Sequence, residues 1–382
     1  MTDGENATGA SRRARRVWVV GDGVPGHEAR SRGALAALAR LGRVEAVPLT
    51  GALRGRLARA GLIAAYALLN RPPAGPVLRT HGATQPAGTP DLVLGAGGRT
   101  QFLTLALAER FSVPSLFAGR PRHLDGNRFT AVIAPYPVPG LANLIELEVP
   151  LSDVEPAMAQ AAGAALRAKA GAAPVWSLLA GGDGGGYRMQ PAEWRVLGRW
   201  LGAKASAAGA RLCVTTSRRT GAASEAALAG ALAGALGTTP LLERRFWGDG
   251  ARGGTLALIG AADLVFTTAD SATMIGEAVA SARPVIVLNP ASKRPALRHA
   301  QVLDGLSSRR RIKILDIAAL DTAKLDAGKL DAGKLDAGLD ADLESGLKAD
   351  LQAGLQPLAR SPIDGLAEAL AHRLTGSTPP RA

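Results

Sequence analysis

Five stretches of the chain carry groups that could do chemistry. In VWVVGDGVPGHEARSRGALAAL, Val17 to Leu38, Asp22 and His27, one of only five histidines, flank a glycine turn. An imidazole with an ordinary pKa of about 6.5 can take and return a proton at neutral pH, so His27 is the candidate general base. Asp22 is the alternative base or an orienting partner. Gly23 and Gly26 in the same turn permit tight backbone and close approach to a ligand. A second glycine turn, GAGGRT, sets Gly97 and Gly98 beside the basic Arg99. In SLLAGGDGGGYRM, Gly181 and Gly182 offer backbone N–H groups suited to a diphosphate, and in TTSRRT the forks of Arg218 and Arg219, after Ser217, match phosphate oxygens. The fifth stretch, TADSATMIGEA, brings Asp270, Ser271 and Glu277; Ser271 stands at a helix start, as a cap or a phosphate contact.

Such groups work together only if strands and helices hold them. Short β-type runs alternate with alanine-rich helical stretches: RVWVV, PDLVLGAG and FTAVIAP first, then PVWSLLAGG, RLCVTTS, DLVFTTAD and RPVIVLN. That alternation predicts an α/β fold of parallel sheets with helices on both faces. The pattern restarts after LIELEVPLSDVEP, so two Rossmann-like domains are expected, over 16–155 and 156–313. Residues 1–15 read as a disordered basic N-terminus. Residues 314–360 read as a low-complexity segment in which KLDAG occurs three times over 324–338, and 361–382 as an amphipathic helix and tail that pack back on the body.

In a parallel sheet, ligands collect at the carboxyl ends of the strands, where helix N-termini present unpaired N–H groups. GDGVPGH sits at such an end. Gly21, Gly23 and Gly26 have dinucleotide-fingerprint spacing, but Asp22 and Pro25 would crowd a pyrophosphate. No acidic residue closes a second strand about 20 residues on, because Glu45 lies inside RVEAVPL. A nicotinamide oxidoreductase is therefore set aside.

Composition narrows the classes further. The chain has 382 residues and a net charge of +13, made of +17 on residues 1–313 and −4 beyond. A basic surface suits phosphorylated substrates, anionic lipid headgroups or nucleic acid. With aromatics at only 4 % and no RNA-recognition core or zinc finger, nucleic acid is not expected as a partner. The single Cys213 excludes an internal disulfide framework and a thiolate metal cluster. SRRARRVWVV lacks the apolar stretch of an export signal. LIAAYALL, 62–69, is too short to span a bilayer and reads as a core helix whose edge could touch a membrane surface.

The order of the motifs resembles a known family. PDLVLGAGG and the strand, glycine loop and histidine of Val17–His27 are similar to the N-terminal domains of MurG-like glycosyltransferases. The closer similarity is to the ELM1 family, read as glycosyltransferases and named after a plant mitochondrial fission protein, whose marks are DGxPGHxxQ, GAGxRT, TTSRRT and TADSxSMxxEA. The chain carries DGVPGHEAR, GAGGRT, TTSRRT and TADSATMIGEA, with Arg30 in place of the family glutamine.

The resemblance implies a GT-B fold, two Rossmann-like domains with parallel sheets facing across a cleft. It implies transfer of a sugar from a nucleotide-sugar donor, the only small molecule called for besides the acceptor, to an envelope or lipid-linked glycan. The donor falls to the C-terminal domain, with Glu277 on the ribose hydroxyls as in MurG-like enzymes, and His27 takes the acceptor proton. No Asp-x-Asp metal motif occurs, so metal-independent transfer is expected, with arginines and helix N-termini neutralising the leaving diphosphate. The expected place is cytoplasmic, peripheral on the anionic inner face of the cytoplasmic membrane. The rival implication is a non-catalytic GT-B adaptor acting through protein or membrane partners.

Overall fold

A computed structural model describes residues 13–51, 53, 55–320 and 355–375. The basic N-terminus up to residue 12 and the KLDAG repeats lie outside the described residues. The chain divides into two compact units. Unit 1 is Met1–Leu147, Leu151–Asp153 and Pro362–Ala382; unit 2 is Glu148–Pro150 and Val154–Ser361.

Unit 1 is built on six parallel strands: β1 (Arg15–Gly21), β2 (Val44–Thr50), β3 (Leu92–Ala96), β4 (Ser115–Ala118), β5 (Ala131–Ala134) and β6 (Leu144–Glu146), in the order β2-β1-β3-β4-β5-β6. The central runs LVLGA, SLFA and AVIA are buried along their whole length, as continuous apolar runs must be when helices cover both faces. Those helices are α1 (Pro25–Arg40), α2 (Arg56–Leu69), α3 (Ala74–Thr80) and α4 (Gln101–Phe111). One apolar layer gathers Val17, Leu92, Leu94 and Leu116 with Ala34, Ala37 and Leu38 of α1; the other gathers Trp18, Phe102, Leu103 and Phe117.

Two features of unit 1 differ from a plain reading of the pattern. Only Leu62 and Tyr66 of α2 are buried, while Leu57, Leu68 and Leu69 are 89 %, 84 % and 60 % exposed, so this helix is a surface element rather than a core one. The second feature is the C-terminal helix, Pro362–Thr375, which enters the α1 layer through Ile363, Leu366, Ala367 and Leu370, with Arg40 Nε donating to Asp364 at 2.9 Å. That segment completes the core of unit 1 although most of unit 2 precedes it in the chain.

Unit 2 repeats the plan. After α5 (Pro156–Ala170) come β7 (Val175–Leu179), β8 (Tyr187–Arg188), α6 (Pro191–Ala207), β9 (Arg211–Thr215), α7 (Ala222–Leu236), β10 (Glu243–Arg245), α8 (Thr255–Ala261), β11 (Leu264–Thr268), α9 (Ala272–Ala280), β12 (Val285–Asn289), β13 (Ser292–Lys293), α10 (Leu297–Ser308) and β14 (Lys313–Asp316). The parallel sheet runs β10-β9-β7-β11-β12-β14, and β8 and β13 form a small antiparallel pair. Its core centres on Leu178, Trp194, Trp200, Leu212 and Phe266. The sheet extends past residue 313: Ile314 pairs with Val287, which places β14 in unit 2 rather than in the low-complexity segment. The helix Pro362–Thr375 is called α11 below.

In each sheet the strand order reverses beside the first strand, between β1 and β3 in unit 1 and between β7 and β11 in unit 2. Loops leaving neighbouring strands in opposite directions open a crevice at that point, where ligands of open α/β sheets bind.

Candidate functional site

The unit 1 crevice holds Asp22 and His27. β1 ends at Gly21, and Pro25 begins α1 two residues after Gly23, so the turn is short and His27 falls on the first turn of the helix. The Asp22 side chain is fully buried, and its carboxylate lies 3.0 Å from His27 Nδ1 and accepts the N–H of Val24 at 3.2 Å. A carboxylate can only accept, so Nδ1 carries the ring proton and Nε2 presents its lone pair. The ring remains one-quarter exposed. Glu28 accepts the Gly23 N–H at 3.2 Å, which ties the turn to the helix it precedes. Gly26, the second residue of α1, is half-buried.

The loop after β3 completes this crevice. Gly97 has φ +82°, and a Cβ there would lie 2.2 Å from His27 Nδ1, so glycine is required both by the backbone and by the imidazole against it. Gly98 and Arg99 are exposed; Arg99 turns its carbonyl toward His81 Nε2 at 3.2 Å. Arg30, one turn beyond His27 on α1, also faces the strand ends. A Cβ added to Gly119, just past β4, would be 3.8 Å from Arg30 Nη1 and 3.8 Å from the Gly97 nitrogen. Burial lowers the Arg30 pKa from its ordinary value, partly opposed by Tyr136, and burial raises that of Tyr136 against the nearby charges of Arg30, Arg120 and Arg122.

In unit 2 the corresponding crevice is filled from within. Gly181 follows β7, and a Cβ there would fall 2.2 Å from the Asp270 carboxylate, which follows β11. Asp270 accepts from Thr268 Oγ1 at 2.5 Å, from Arg219 Nη2 at 2.5 Å and from the Gly182 backbone, and its side chain is 1 % exposed. Burial pushes its pKa up against those donors. Ser217 Oγ and Thr220 Oγ1 both donate to the Gly181 carbonyl, at 2.5 and 2.6 Å. Arg219 is thus committed to Asp270, whereas Arg218 is exposed. The TTSRRT stretch and the glycine loop are one hydrogen-bonded unit.

The remaining sequence candidates sit on α9. Ser271 is its N-cap, with Oγ accepting from the Met274 N–H at 3.4 Å, and Glu277 lies half-buried further along the helix. Several residues went unnoticed in the sequence. His299 donates from Nε2 to the Ala269 carbonyl at 2.6 Å, packs on Tyr187 with ring centroids 5.2 Å apart and turns Nδ1 toward Gly185; burial lowers its pKa. Glu225 receives Thr216 Oγ1 and the Gly248 N–H, holding the loop after β10. Arg120 and Arg122 were readable as GRPRH directly after the strand PSLF; His299 had no such signal, since it comes from a helix start unlinked to any glycine motif. Among the described residues no cluster of three or more His, Cys, Asp or Glu is placed to hold a metal ion.

The family model for mitochondrial fission ELM1 matches residues 25–336. The chain belongs to the mitochondrial fission ELM1 family. No curated relative matches this ELM1-family chain at a significant level. Among solved structures, it is similar to a candidate UDP-N-acetylglucosamine 2-epimerase of Listeria monocytogenes, at 13 % identity and TM-score 0.50 over 94 % of this chain and 95 % of that one. A glycosyltransferase of Rickettsia africae ESF-5 matches at 11 % identity and TM-score 0.48 over 96 % and 100 %. The ADP-heptose lipopolysaccharide heptosyltransferase II of E. coli matches at 14 % and 0.44 over 94 % and 98 %. The two six-stranded parallel sheets and this likeness make the fold α/β of the GT-B type.

Proposed function

We propose that this ELM1-family chain transfers a sugar from a nucleotide-sugar donor to a hydroxyl of a glycan or lipid-linked acceptor. The Asp22–His27 pair carries the reading: a buried carboxylate fixes Nδ1–H, and a part-exposed Nε2 is left as a base at the switch point of a Rossmann-like sheet. His27 Nε2 takes the acceptor proton, the freed oxygen attacks the anomeric carbon, and the bond to the diphosphate breaks as the nucleoside diphosphate leaves. Asp22 orients the ring and stabilises the imidazolium that forms. On unit 2 the exposed Arg218 meets the diphosphate, while the Gly181 N–H is spent on Thr268 Oγ1 at 2.8 Å and the Gly182 N–H on Asp270, so Asp270 and Arg219 hold that loop in shape, and Glu277 receives the ribose hydroxyls. Transfer needs no metal in this scheme, because arginine and a helix N-terminus take up the developing charge.

The exposed face of α2 supports a place at an anionic membrane on its cytoplasmic side. Leu57, Leu68 and Leu69 project from a helix flanked by the exposed Arg56, Arg59 and Arg71, the pattern of a helix lying in a lipid interface. No helix among the described residues is long and apolar enough to cross a membrane.

The test is a thermal-shift screen of the whole chain with nucleoside diphosphates and their sugars, in which a ligand at 100 times its Kd adds about 2.7 kcal/mol. Stabilisation that Arg218→Ala and Glu277→Ala each diminish is the expected result. No stabilisation by any of them, together with salt-sensitive binding to anionic vesicles that Leu57→Ser and Leu68→Ser abolish, would favour the adaptor instead.

A further inference from the structure

The strand ends of unit 1 carry more positive charge than a general base requires. Arg30 reaches them from α1, Arg99 follows β3, Arg120 and Arg122 follow β4, and Tyr136 follows β5. The acids near the turn are already engaged: Asp22 holds His27, and Glu28 holds the Gly23 N–H. Several other arginines of unit 1 are matched, as Arg13 is with Asp91, Arg16 with Glu45 and Arg128 with Glu109. Among the described residues the guanidinium groups of Arg30, Arg120 and Arg122 have no carboxylate within ion-pair distance, and Tyr136 is the neighbour whose hydroxyl feels all three.

Arg30 is the informative member. Exposed arginines without partners are ordinary, because water serves them. Arg30 is half-buried, and a cation taken out of water without an anion is costly unless a ligand supplies one. The missing Cβ at Gly119 leaves the space in front of its Nη1 bounded by the Gly97 amide. A single carboxylate would leave much of this positive charge unmatched, whereas a phosphoryl group carries up to two charges and three acceptor oxygens for guanidinium forks.

We propose that the ends of β1, β3, β4 and β5 form a phosphoryl-binding subsite on unit 1, with Arg30 as its floor and Arg120 and Arg122 at its rim. Resting on the transfer reading above, the acceptor then carries a phosphate or diphosphate close to the hydroxyl that His27 deprotonates. The phosphoryl group can belong to a soluble sugar phosphate or to a lipid-linked one, and the chemistry at Arg30 is the same for both.

The five histidines make the test direct. In full-length protein labelled on its histidine rings, the His27 resonance reports on the unit 1 crevice, His299 on the unit 2 loop, and the buried His81 on the integrity of the fold. Inorganic pyrophosphate at low salt is expected to shift His27 saturably. Arg30→Gln should weaken that titration about tenfold or more, and Arg30→Lys should fall between, since it keeps the charge and loses the fork. The His81 signal should be unchanged in both variants. Glucose 1-phosphate and farnesyl diphosphate, run in parallel, identify the soluble or the lipid-linked source by which of them depends more strongly on Arg30. A His27 signal that none of the three probes moves, or a titration identical in Arg30→Gln, would overturn the subsite. Failure of a nucleoside diphosphate to move His299 would count against the donor reading alone and leave the Arg30 result standing.

Discussion

The crevices of the two units are the same topological feature built in opposite senses. In unit 1 the glycine comes from the loop after the third strand and the polar side chain from the turn after the first: Gly97 lies against His27. In unit 2 the glycine follows the first strand and the polar side chain the strand across the switch point, β11: Gly181 lies against Asp270. The outcome differs because of what each polar group is tied to. Among the described residues His27 is held on one nitrogen only, while Asp270 gives its oxygens to Thr268, Arg219 and Gly182 and is closed off from solvent. A side chain with one nitrogen left unengaged and a loop-shaping side chain thus arise from one architecture, separated by how many internal partners each has.

The largest effect that tests this contrast is on turnover. With the nucleotide sugar that the binding screen identifies, His27→Gln is expected to lower turnover by about 10²- to 10⁴-fold, the worth of a positioned base, with donor affinity held. Gly97→Ala should act in the same direction, because its Cβ displaces the imidazole and its left-handed backbone costs about 1–2 kcal/mol. Gly181→Ala should instead weaken donor binding, since it strikes the Asp270 carboxylate. If both glycine variants change the same kinetic parameter, the division of labour between the units is wrong.

Stability comes next in size. Asp270→Ala removes a buried carboxylate and strands Thr268 and Arg219; the cost should be about 3 kcal/mol, at the low end for a broken buried pair because Arg219 is 40 % exposed. Asp22→Ala should cost only about 1–2 kcal/mol, as it leaves an imidazole that reaches solvent. Urea midpoints of the two variants measure this directly, and equal losses would mean that Asp22 is as structural as Asp270.

The sequence made much of this visible because glycine motifs and apolar runs are local signals. GDGVPGH after VWVV, GAGGRT after DLVL and the glycine cluster after VWSLL each announced a strand end, and alternation gave both parallel sheets. What stayed hidden depended on distant pairing. Nothing local tells that Arg219 is spent on Asp270 across 51 residues of chain, or that His299 comes back under Gly185. Helix α2 shows the converse: its apolar composition reads as core, but among the described residues no neighbour covers Leu57 and Leu68, and composition carries no record of that.

The smallest expected effect is pH-dependent and draws on one histidine from each unit. His81 lies buried between the carbonyls of Val77 and Arg99, and His299 is held against that of Ala269. Burial is the leading cause that lowers both pKa values from the ordinary histidine value, outweighing the carbonyls that favour the charged form. A depressed folded pKa means that, just below about 6.5, the unfolded chain binds more protons than the folded one. The stability these rings contribute is therefore complete above about pH 6.5 and is lost as pH falls through their folded values. Urea unfolding at pH 7.5 and 5.5 should show the loss, His81→Gln should remove the share of unit 1 and His299→Gln that of unit 2. Because the rings sit in separate units, the two shares should add in the double variant. A wild-type loss that survives unchanged in the double variant would assign the acid sensitivity to carboxylates instead, with Asp270 excluded on sign: its raised folded pKa favours the folded state as pH falls, the reverse of the histidine effect.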